Sequence, residues 1–234
     1  MSADSAEVLV ISHVDESDVV WVNQLIRDAG MEPRHVKPFA GEQLPDPLSV
    51  AATICLGGPQ SAYDYAGSPF LHQERQFLRR AVDAGVPVLG ICLGSQILAE
   101  SLGGKALGGT HGLECGFIDV TASSSALHCE DEWLQGRYFS FHTDTFRLPL
   151  GAKLLASSEK YPQVWRLGSA LAIQFHPEIS PAGIEQIFAV EGEKLRANGV
   201  DVNSLLAEAE SARDTAWAGS QRIIGGWLMN NIRV

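Results

Sequence analysis

Cysteine is scarce in this chain and follows no regular framework. Of 234 residues, four are cysteine, at positions 55, 92, 115 and 129, and they form no C-x-x-C pair. Disulfide-held secreted domains and structural zinc sites need paired, regularly spaced ligands, and His128-Cys129 has no spaced partner of that kind. We therefore expect a reduced protein without a metal site.

Positive charge and long apolar runs are also in short supply. The 17 Lys and Arg residues are outnumbered by 28 Asp and Glu residues, which leaves a net charge of −11. That sign opposes binding to nucleic-acid phosphates and to anionic membrane surfaces. No apolar run approaches the length of a membrane span. The N-terminal apolar run is very short and is surrounded by Asp4, Glu7, Asp15 and Glu16, so we expect no signal peptide. We expect a soluble, cytoplasmic protein with neither nucleic acid nor membrane as a partner.

A phosphate-binding loop is missing too. Gly104-Lys105 resembles the end of such a loop, but Ala99 stands where its first glycine belongs and Ala106 replaces its Ser or Thr. No cofactor is predicted.

What the chain does have is a regular alternation of strands and helices up to residue 104. Apolar runs at 7–12, 51–56 and 86–91 predict buried strands, and 33–39 predicts a more polar strand nearer an edge. Helical patterns lie between them: one capped by Ser17 or Asp18 and stopped by Gly30, one opened by Ser68-Pro69 and stopped by Gly85, and one from Cys92 to Gly103-Gly104. This alternation is typical of a doubly wound parallel sheet, which binds ligands outside the carboxyl ends of its strands.

The second half of the chain changes character. Short strands with little helical periodicity are predicted at about 105–109, 115–121, 137–142, 152–158, 163–167 and 170–175. A helix opened by Ser180-Pro181 and ended by Asn198-Gly199 follows, and Asn203 is expected to cap a last helix to about Asn230, weakened by Gly219 and Gly225-Gly226. With no repeat or linker, we expect one domain over 1–234. The fold class is α/β, with a doubly wound, mostly parallel, flavodoxin-like sheet, an antiparallel extension and C-terminal helices.

The stretch 86–96 carries the strongest chemical signal. Gly90-Ile91-Cys92-Leu93-Gly94 has the layout of a nucleophile elbow, in which glycines on both sides let a strand double back into a helix. The central side chain then stands at the carboxyl end of the strand. A thiol at a helix N-terminus is favoured as thiolate, so Cys92 is the candidate nucleophile. A cysteine in a strand is more often a buried hydrophobe, which is how we interpret Cys55 within its apolar run.

A thiol nucleophile needs a base and a group that orients the base. His176 follows a predicted strand, and Glu178 lies two residues on, with Pro177 favouring an extended shape that sets both side chains on one side. Alone, this pair is more often a surface histidine beside a solvated glutamate. Gly57-Gly58-Pro59 also ends a strand, and its N–H groups, with that of Leu93, could hold an oxyanion. Its alternative interpretation is a plain turn.

Taken together, these motifs resemble the class I, triad-type glutamine amidotransferases. Leu56-Gly-Gly-Pro-Gln60, Gly90-Ile-Cys-Leu-Gly-Ser-Gln96 and Phe175-His-Pro-Glu178 occur in the family's order and spacing, over roughly residues 50 to 180. Within the family, the chain looks most like stand-alone relatives of the GMP synthase amidotransferase domain.

The resemblance implies a role for each matching residue. Cys92 would form a γ-glutamyl thioester, His176 would act as base and acid, and Glu178 would orient it. Gly58 and Leu93 would donate to the oxyanion. The residues implied in glutamine binding are Gly57, Pro59, Gln96, Phe141 and His142. Phe141-His-Thr-Asp144 matches the family's S-H-G-D segment with Phe141 for serine and Thr143 for glycine.

The function implied is hydrolysis of the glutamine amide and delivery of ammonia to an acceptor on a separate synthase. Two alternatives stay open. One is a free-standing γ-glutamyl hydrolase with the same triad, and the other is a non-catalytic regulatory subunit that kept the fold.

Overall fold

The structure, a computed structural model, describes residues 6–123 and 132–232, so Cys129 and His128 lie outside the described residues. Within these described ranges, nine strands form one sheet and two more form a separate ladder. The strands are β1 Glu7–Ile11, β2 Glu32–Val36, β3 Ala52–Cys55, β4 Val88–Ile91, β5 Lys105–Gly108, β6 Glu114–Ala122, β7 Gly136–His142, β8 Asp144–Arg147, β9 Lys153–Ser157, β10 Pro162–Leu167 and β11 Ala170–Ile173.

Helices connect the parallel strands and close the chain. They are α1 Val20–Asp28, α2 Leu71–Asp83, α3 Leu93–Ser101, α4 Pro181–Ala197, α5 Val202–Ser211, α6 Arg213–Ser220 and α7 Gly226–Asn231. A π-helical turn, Gln221–Gly225, joins α6 to α7, and short 3-10 turns occupy Pro38–Ala40, Pro47–Ser49 and Glu132–Leu134.

The sheet has a parallel half and an antiparallel half that share β11. The order is β2-β1-β3-β4-β11-β10-β9-β6-β7, in which the first five strands are parallel and the rest antiparallel. The parallel half has the flavodoxin-like order, with β11 in the fifth place. The predicted α/β class and antiparallel extension are therefore confirmed. The strand β8 was not predicted, and it pairs with β5 outside the main sheet.

Both faces of the four strands β1, β3, β4 and β11 are buried, which explains their continuous apolar runs, whereas β2 at the edge is mostly exposed, as its polar sequence predicted. In β1, Val8 and Val10 face one core and Leu9 and Ile11 the other. The first core is covered by α1 and α7 and the second by α2 and α3. A third cluster packs α4 and α5 against β7 through Phe139 and Phe188.

The helices are confirmed where they were predicted, but some of their predicted caps differ. Helix α1 begins at Val20, and the Asp18 carboxylate accepts a long hydrogen bond from the Val20 N–H, at 3.4 Å, and a shorter one from the Ser180 N–H, at 2.8 Å. Helix α2 begins at Leu71, since Ser68 closes a preliminary turn through its carbonyl.

The C-terminal helices differ from prediction in the same way. Asp201, not Asn203, caps α5 by accepting from the Ser204 N–H at 3.0 Å. The predicted single helix is interrupted at Ala212, between α5 and α6. It stays helical through Gly225 and Gly226, because packing of the π-helical turn in the first core outweighs the low helix propensity of glycine.

Candidate active site

Cys92 occupies a strained turn between β4 and α3. Its φ of 52° and ψ of −111° make it the one non-glycine residue of the described ranges with positive φ. The turn is held from both neighbouring strands, since the Cys92 N–H donates to Ile173 O at 2.8 Å and the Gly94 N–H donates to Leu56 O at 3.1 Å. Such a conformation costs on the order of 1–3 kcal/mol and persists only when its surroundings impose it. The predicted elbow is present.

The two glycines of the elbow are needed for close backbone approach. A Cβ on Gly94 would lie 2.0 Å from the Cys55 carbonyl oxygen, and a Cβ on Gly90 would lie 2.6 Å from the Gly94 carbonyl oxygen. Neither clash can be relieved by moving a side chain. The G-x-C-x-G pattern therefore has a steric cause in this fold.

His176 and Glu178 lie beyond the end of β11 and are almost completely buried. The imidazole Nδ1 is 2.7 Å from Glu178 Oε1, and the His176 N–H donates to Phe139 O at 2.8 Å. Burial lowers the pKa of His176, but the negative charges of Glu178 and Cys92 outweigh burial and raise that pKa well above its ordinary value. The imidazole is therefore favoured in its protonated form beside the thiol.

Gly57 lies next to both the His176 and the Cys92 side chain. A Cβ on Gly57 would lie 3.1 Å from His176 Cε1 and 3.9 Å from Cys92 Sγ. The structure thus brings together the carboxyl ends of β3, β4 and β11, as a parallel sheet should.

Two backbone donors lie beside the thiol. A Cβ on Gly58 would lie 3.0 Å from Leu93 Cδ2, so the two residues are neighbours. Across residues 6–123 and 132–232, neither the Gly58 nor the Leu93 N–H reaches a protein acceptor. Free N–H groups at this point can stabilise a negatively charged oxygen. Pro59, next in the loop, is exposed.

Gln96 and His142 hold a backbone corner above the thiol. Gln96 Nε2 donates to Asp144 O at 3.0 Å, and His142 Nδ1 donates to the same oxygen at 2.8 Å. The Phe141 carbonyl oxygen lies 3.9 Å from Cys92 Sγ. Both side chains therefore fix the segment 141–144 over the thiol.

Sequence reasoning missed the carboxylate beneath that corner. Glu114 is buried and accepts from Gln163 at 2.7 Å and from Ser158 at 2.8 Å, and it lies 3.0 Å from His142 Nε2. Burial raises the pKa of Glu114, but the hydrogen bonds from His142 and Ser158 outweigh burial and hold that pKa below its ordinary value. The available signal was its position on the buried face of β6, two residues before Gly116.

A second set of cysteine, histidine and glutamate side chains was also missed. His13, Cys55 and Glu74 are fully buried behind the Gly57–Gln60 loop, with possible ligand atoms all within 4.8 Å of one another. Burial and the adjacent Glu74 raise the pKa of the Cys55 thiol well above its ordinary value, so Cys55 stays protonated. The expectation that Cys55 belongs to the core is confirmed, and Cys92 is the better placed thiol.

No helix in the described ranges is long and apolar enough to cross a membrane.

Comparisons with known proteins match most of the chain. The sequence profile of the family "Glutamine amidotransferase class-I" matches residues 20–189. The chain is 31% identical over 168 residues to a GMP synthase [glutamine-hydrolyzing] from Herminiimonas arsenicoxydans, covering 66% of this chain and 30% of that protein. It is 30% identical over 184 residues to the same enzyme from Bradyrhizobium diazoefficiens, covering 75% of this chain and 32% of that protein. The chain thus spans about a third of the length of these curated relatives.

Solved structures resemble the whole fold. A glutamine amidotransferase from Thermotoga maritima superposes with a TM-score of 0.86 at 29% identity, covering 96% of this chain and 98% of that one. One from Methylobacillus flagellatus gives a TM-score of 0.84 at 20% identity, with 98% and 96% covered, which shows a shared fold.

Proposed function

The chain belongs to the class-I glutamine amidotransferase family, and we propose that it hydrolyses the side-chain amide of glutamine through Cys92, His176 and Glu178. The observation that carries the proposal is the strained Cys92 elbow facing a buried His176–Glu178 pair. We propose further that one amidotransferase domain occupies residues 1–234 and that the reaction takes place in the cytoplasm.

In the acylation step, the Cys92 thiolate attacks the amide carbon of glutamine. The carbonyl oxygen becomes an oxyanion that accepts hydrogen bonds from the Gly58 and Leu93 N–H groups. Protonated His176 gives its proton to the nitrogen, so that ammonia leaves and a γ-glutamyl thioester remains on Cys92. The raised pKa of His176 supports this assignment, because the imidazole starts as the acid.

In the deacylation step, neutral His176 removes a proton from water, and the resulting hydroxide attacks the thioester. The same two N–H groups hold the second oxyanion. Collapse releases glutamate and restores the Cys92 thiolate and the protonated imidazole. Glu178 holds Nδ1 throughout, and it stabilises the positive charge on the ring.

Glutamine binding is assigned to the surfaces around the thiol. Gly57 and Pro59 line one side, where a side chain on Gly57 would fill the space beside Cys92. Phe141 offers its carbonyl oxygen, and Gln96 and His142 keep that segment in place. The proposed substrate is L-glutamine.

We propose that the ammonia acceptor is bound by a separate synthase. The support is the likeness to GMP synthases that are named as glutamine-hydrolyzing, of whose length the matched residues make up about a third, so that the acceptor would be bound outside the matched residues. A free-standing γ-glutamyl hydrolase is the second candidate, because the same three side chains would cleave other γ-glutamyl amides. A non-catalytic regulatory subunit fits less well, because a protein that no longer needed the nucleophile would have no reason to keep Cys92 in a strained conformation.

The experiment is ammonia release from glutamine and from a panel of γ-glutamyl amides and peptides, using the whole chain. We expect release from glutamine that is lost in Cys92→Ala and kept in Cys115→Ala. Cys115 is the matched control because it is a half-buried thiol whose pKa burial raises to about 11.

A glutamine chloroketone, followed by peptide mapping, should label Cys92 stoichiometrically. Labelling mainly at Cys55 or Cys115, or full activity in Cys92→Ala, would refute the triad. Fast turnover of γ-glutamyl peptides with little of glutamine would decide for the hydrolase.

A further inference from the structure

The buried set of His13, Cys55 and Glu74 lies directly behind the proposed oxyanion loop. His13 follows β1, Cys55 ends β3, and Glu74 lies on the inner face of α2. The imidazole Nε2 is 3.0 and 3.1 Å from the two Glu74 oxygens, and Cys55 Sγ donates to Glu74 Oε1 at 3.0 Å. We refer to these three side chains as the buried triplet.

The triplet consists of polar groups that are costly to bury. Burial lowers the pKa of His13, yet the charge of Glu74 and hydrogen bonds to the Gly57 and Leu56 carbonyls outweigh burial and raise that pKa. The imidazole is thus favoured in its cationic form beside Glu74, and the Cys55 thiol stays protonated. Buried ion pairs add little stability compared with apolar residues of the same volume, so stability alone gives no reason for this one.

The triplet reaches the site through one peptide group. His13 Nδ1 lies 3.3 Å from the Gly57 carbonyl oxygen, and Gln60 Nε2 donates to the His13 carbonyl oxygen at 3.0 Å. In a trans peptide, the C=O of Gly57 and the N–H of Gly58 point in opposite directions, and the described ranges contain no cis peptide. Holding the carbonyl toward His13 therefore directs the Gly58 N–H away from it.

The peptide needs such a hold because both its residues are glycine. Glycine takes either sign of φ at little cost, so an unsupported Gly57–Gly58 peptide could turn over. A reversed peptide would present its carbonyl oxygen, in place of the N–H, to an oxyanion formed at Cys92.

We propose that His13 and Glu74 are positioning residues that lock the Gly57–Gly58 peptide with its N–H available to the oxyanion. Cys55 assists by fixing the Glu74 carboxylate through its thiol. This inference rests on the proposed function, since it assigns a task to residues that never touch glutamine.

The main test compares His13→Leu, which removes the donor to Gly57, with His13→Asn, whose amide N–H can replace it. We expect kcat to fall about 10²-fold in His13→Leu, the cost of losing one oxyanion donor, with KM within about threefold and with partial recovery in His13→Asn. His35→Leu is the matched control, because His35 is on the edge strand β2 and bonds to Asn23. If His13→Leu does not fold, the double variant His13→Leu/Glu74→Gln is used in its place, because it no longer leaves an unpaired carboxylate in the core.

A second readout separates positioning from structure. Glutamate γ-semialdehyde forms a thiohemiacetal with Cys92 that carries the oxygen of the tetrahedral intermediate. Its affinity should fall in His13→Leu by about the same factor as kcat, whereas alkylation of Cys92 by iodoacetamide, which forms no oxyanion, should keep its rate. A folded His13→Leu protein with normal kcat and normal aldehyde affinity would overturn the inference.

The outcomes also separate this inference from the proposed function. If the wild-type chain neither releases ammonia nor binds the aldehyde at Cys92, both fall. If it does both and so does His13→Leu, only the positioning role falls. One equivalent of zinc that copurifies with the chain and is lost in Cys55→Ser would also overturn it, since the triplet would then be a metal site.

Discussion

At the scale of single residues, two cysteines of one chain have opposite surroundings. Cys92 lies at a helix N-terminus next to a cationic imidazole, whereas the Cys55 thiol donates to an anionic carboxylate in the core. A neighbouring positive charge favours a thiolate and a negative charge opposes it. Burial first, and the adjacent Glu74 second, raise the pKa of the Cys55 thiol well above its ordinary value, so Cys55 is not available as a nucleophile.

The two residues paired beside Cys92 should differ in their effect on catalysis. We expect His176→Ala to lower kcat by about 10²–10⁴-fold, the usual contribution of a general acid–base group. Glu178→Gln keeps the imidazole and a hydrogen-bond acceptor at 2.7 Å from Nδ1, so it should retain more activity. Glutaminase kinetics on both folded variants check this, and the reverse order would contradict the assigned roles.

At the scale of secondary structure elements, close approach of backbones decides which glycines can be replaced. In Gly94→Ala, the new methyl group would lie 2.0 Å from the Cys55 carbonyl oxygen, so the turn from β4 into α3 must shift. We expect a loss of about 3 kcal/mol in the free energy of unfolding, at the upper end for overpacking. Gly226→Ala is the control, because nothing lies within 4 Å of its new Cβ in α7.

That control should gain about 0.5–1 kcal/mol, since alanine is the better helix former. Urea unfolding of both variants gives the comparison. Equal stability of Gly94→Ala and the wild type would show that the elbow is not as tightly packed as described.

The stability of the fold should depend on pH through Glu114, whose partners connect β6 to β7 and β10. The folded-state pKa of Glu114 is depressed by its hydrogen-bond partners, so its contribution to stability is present above the unfolded-state value of about 4.5 and is lost as pH falls below it. We expect the Tm of the wild type to drop more steeply between about pH 5 and 3 than that of Glu114→Gln. Parallel curves would contradict the assignment.

At the scale of the whole molecule, the reacting groups sit at the carboxyl edge of the parallel strands, where ammonia would be released. Ammonia that escapes into water at neutral pH is protonated and no longer nucleophilic. A subunit that supplies ammonia to a synthase would therefore lose less of it to water if the synthase docked over this edge.

We expect the isolated chain to be a slow glutaminase that a cognate synthase carrying its acceptor stimulates several-fold in kcat. Ammonia release by the purified chain, with and without candidate synthases, measures this. Vigorous turnover that no synthase changes would favour the hydrolase.

Much of the fold could be predicted because its signals are local. Alternating apolar strands and helices predicted the parallel half, since both its faces are buried. The cap at Asn203 was wrong, since Asp201 caps α5, and the Asp18 carboxylate is shared between Val20 at the start of α1 and Ser180, which is 162 residues away. The strand β8 was missed because its four residues pair only with β5, outside the main sheet.

By itself, the sequence determined the elbow and the candidate nucleophile that it presents, because glycines two residues to either side of Cys92 set the backbone path locally. It also determined the His176–Glu178 pair, whose members are two residues apart. Only the tertiary structure decided which groups stand behind them. His13 meets Glu74 across 61 residues, and Glu114 meets Gln163 across 49, and no local pattern encodes such pairs. His13 and Glu74 meet because α2 packs on the parallel half of the sheet, and Glu114 and Gln163 meet because β6, β9 and β10 are neighbours in its antiparallel half.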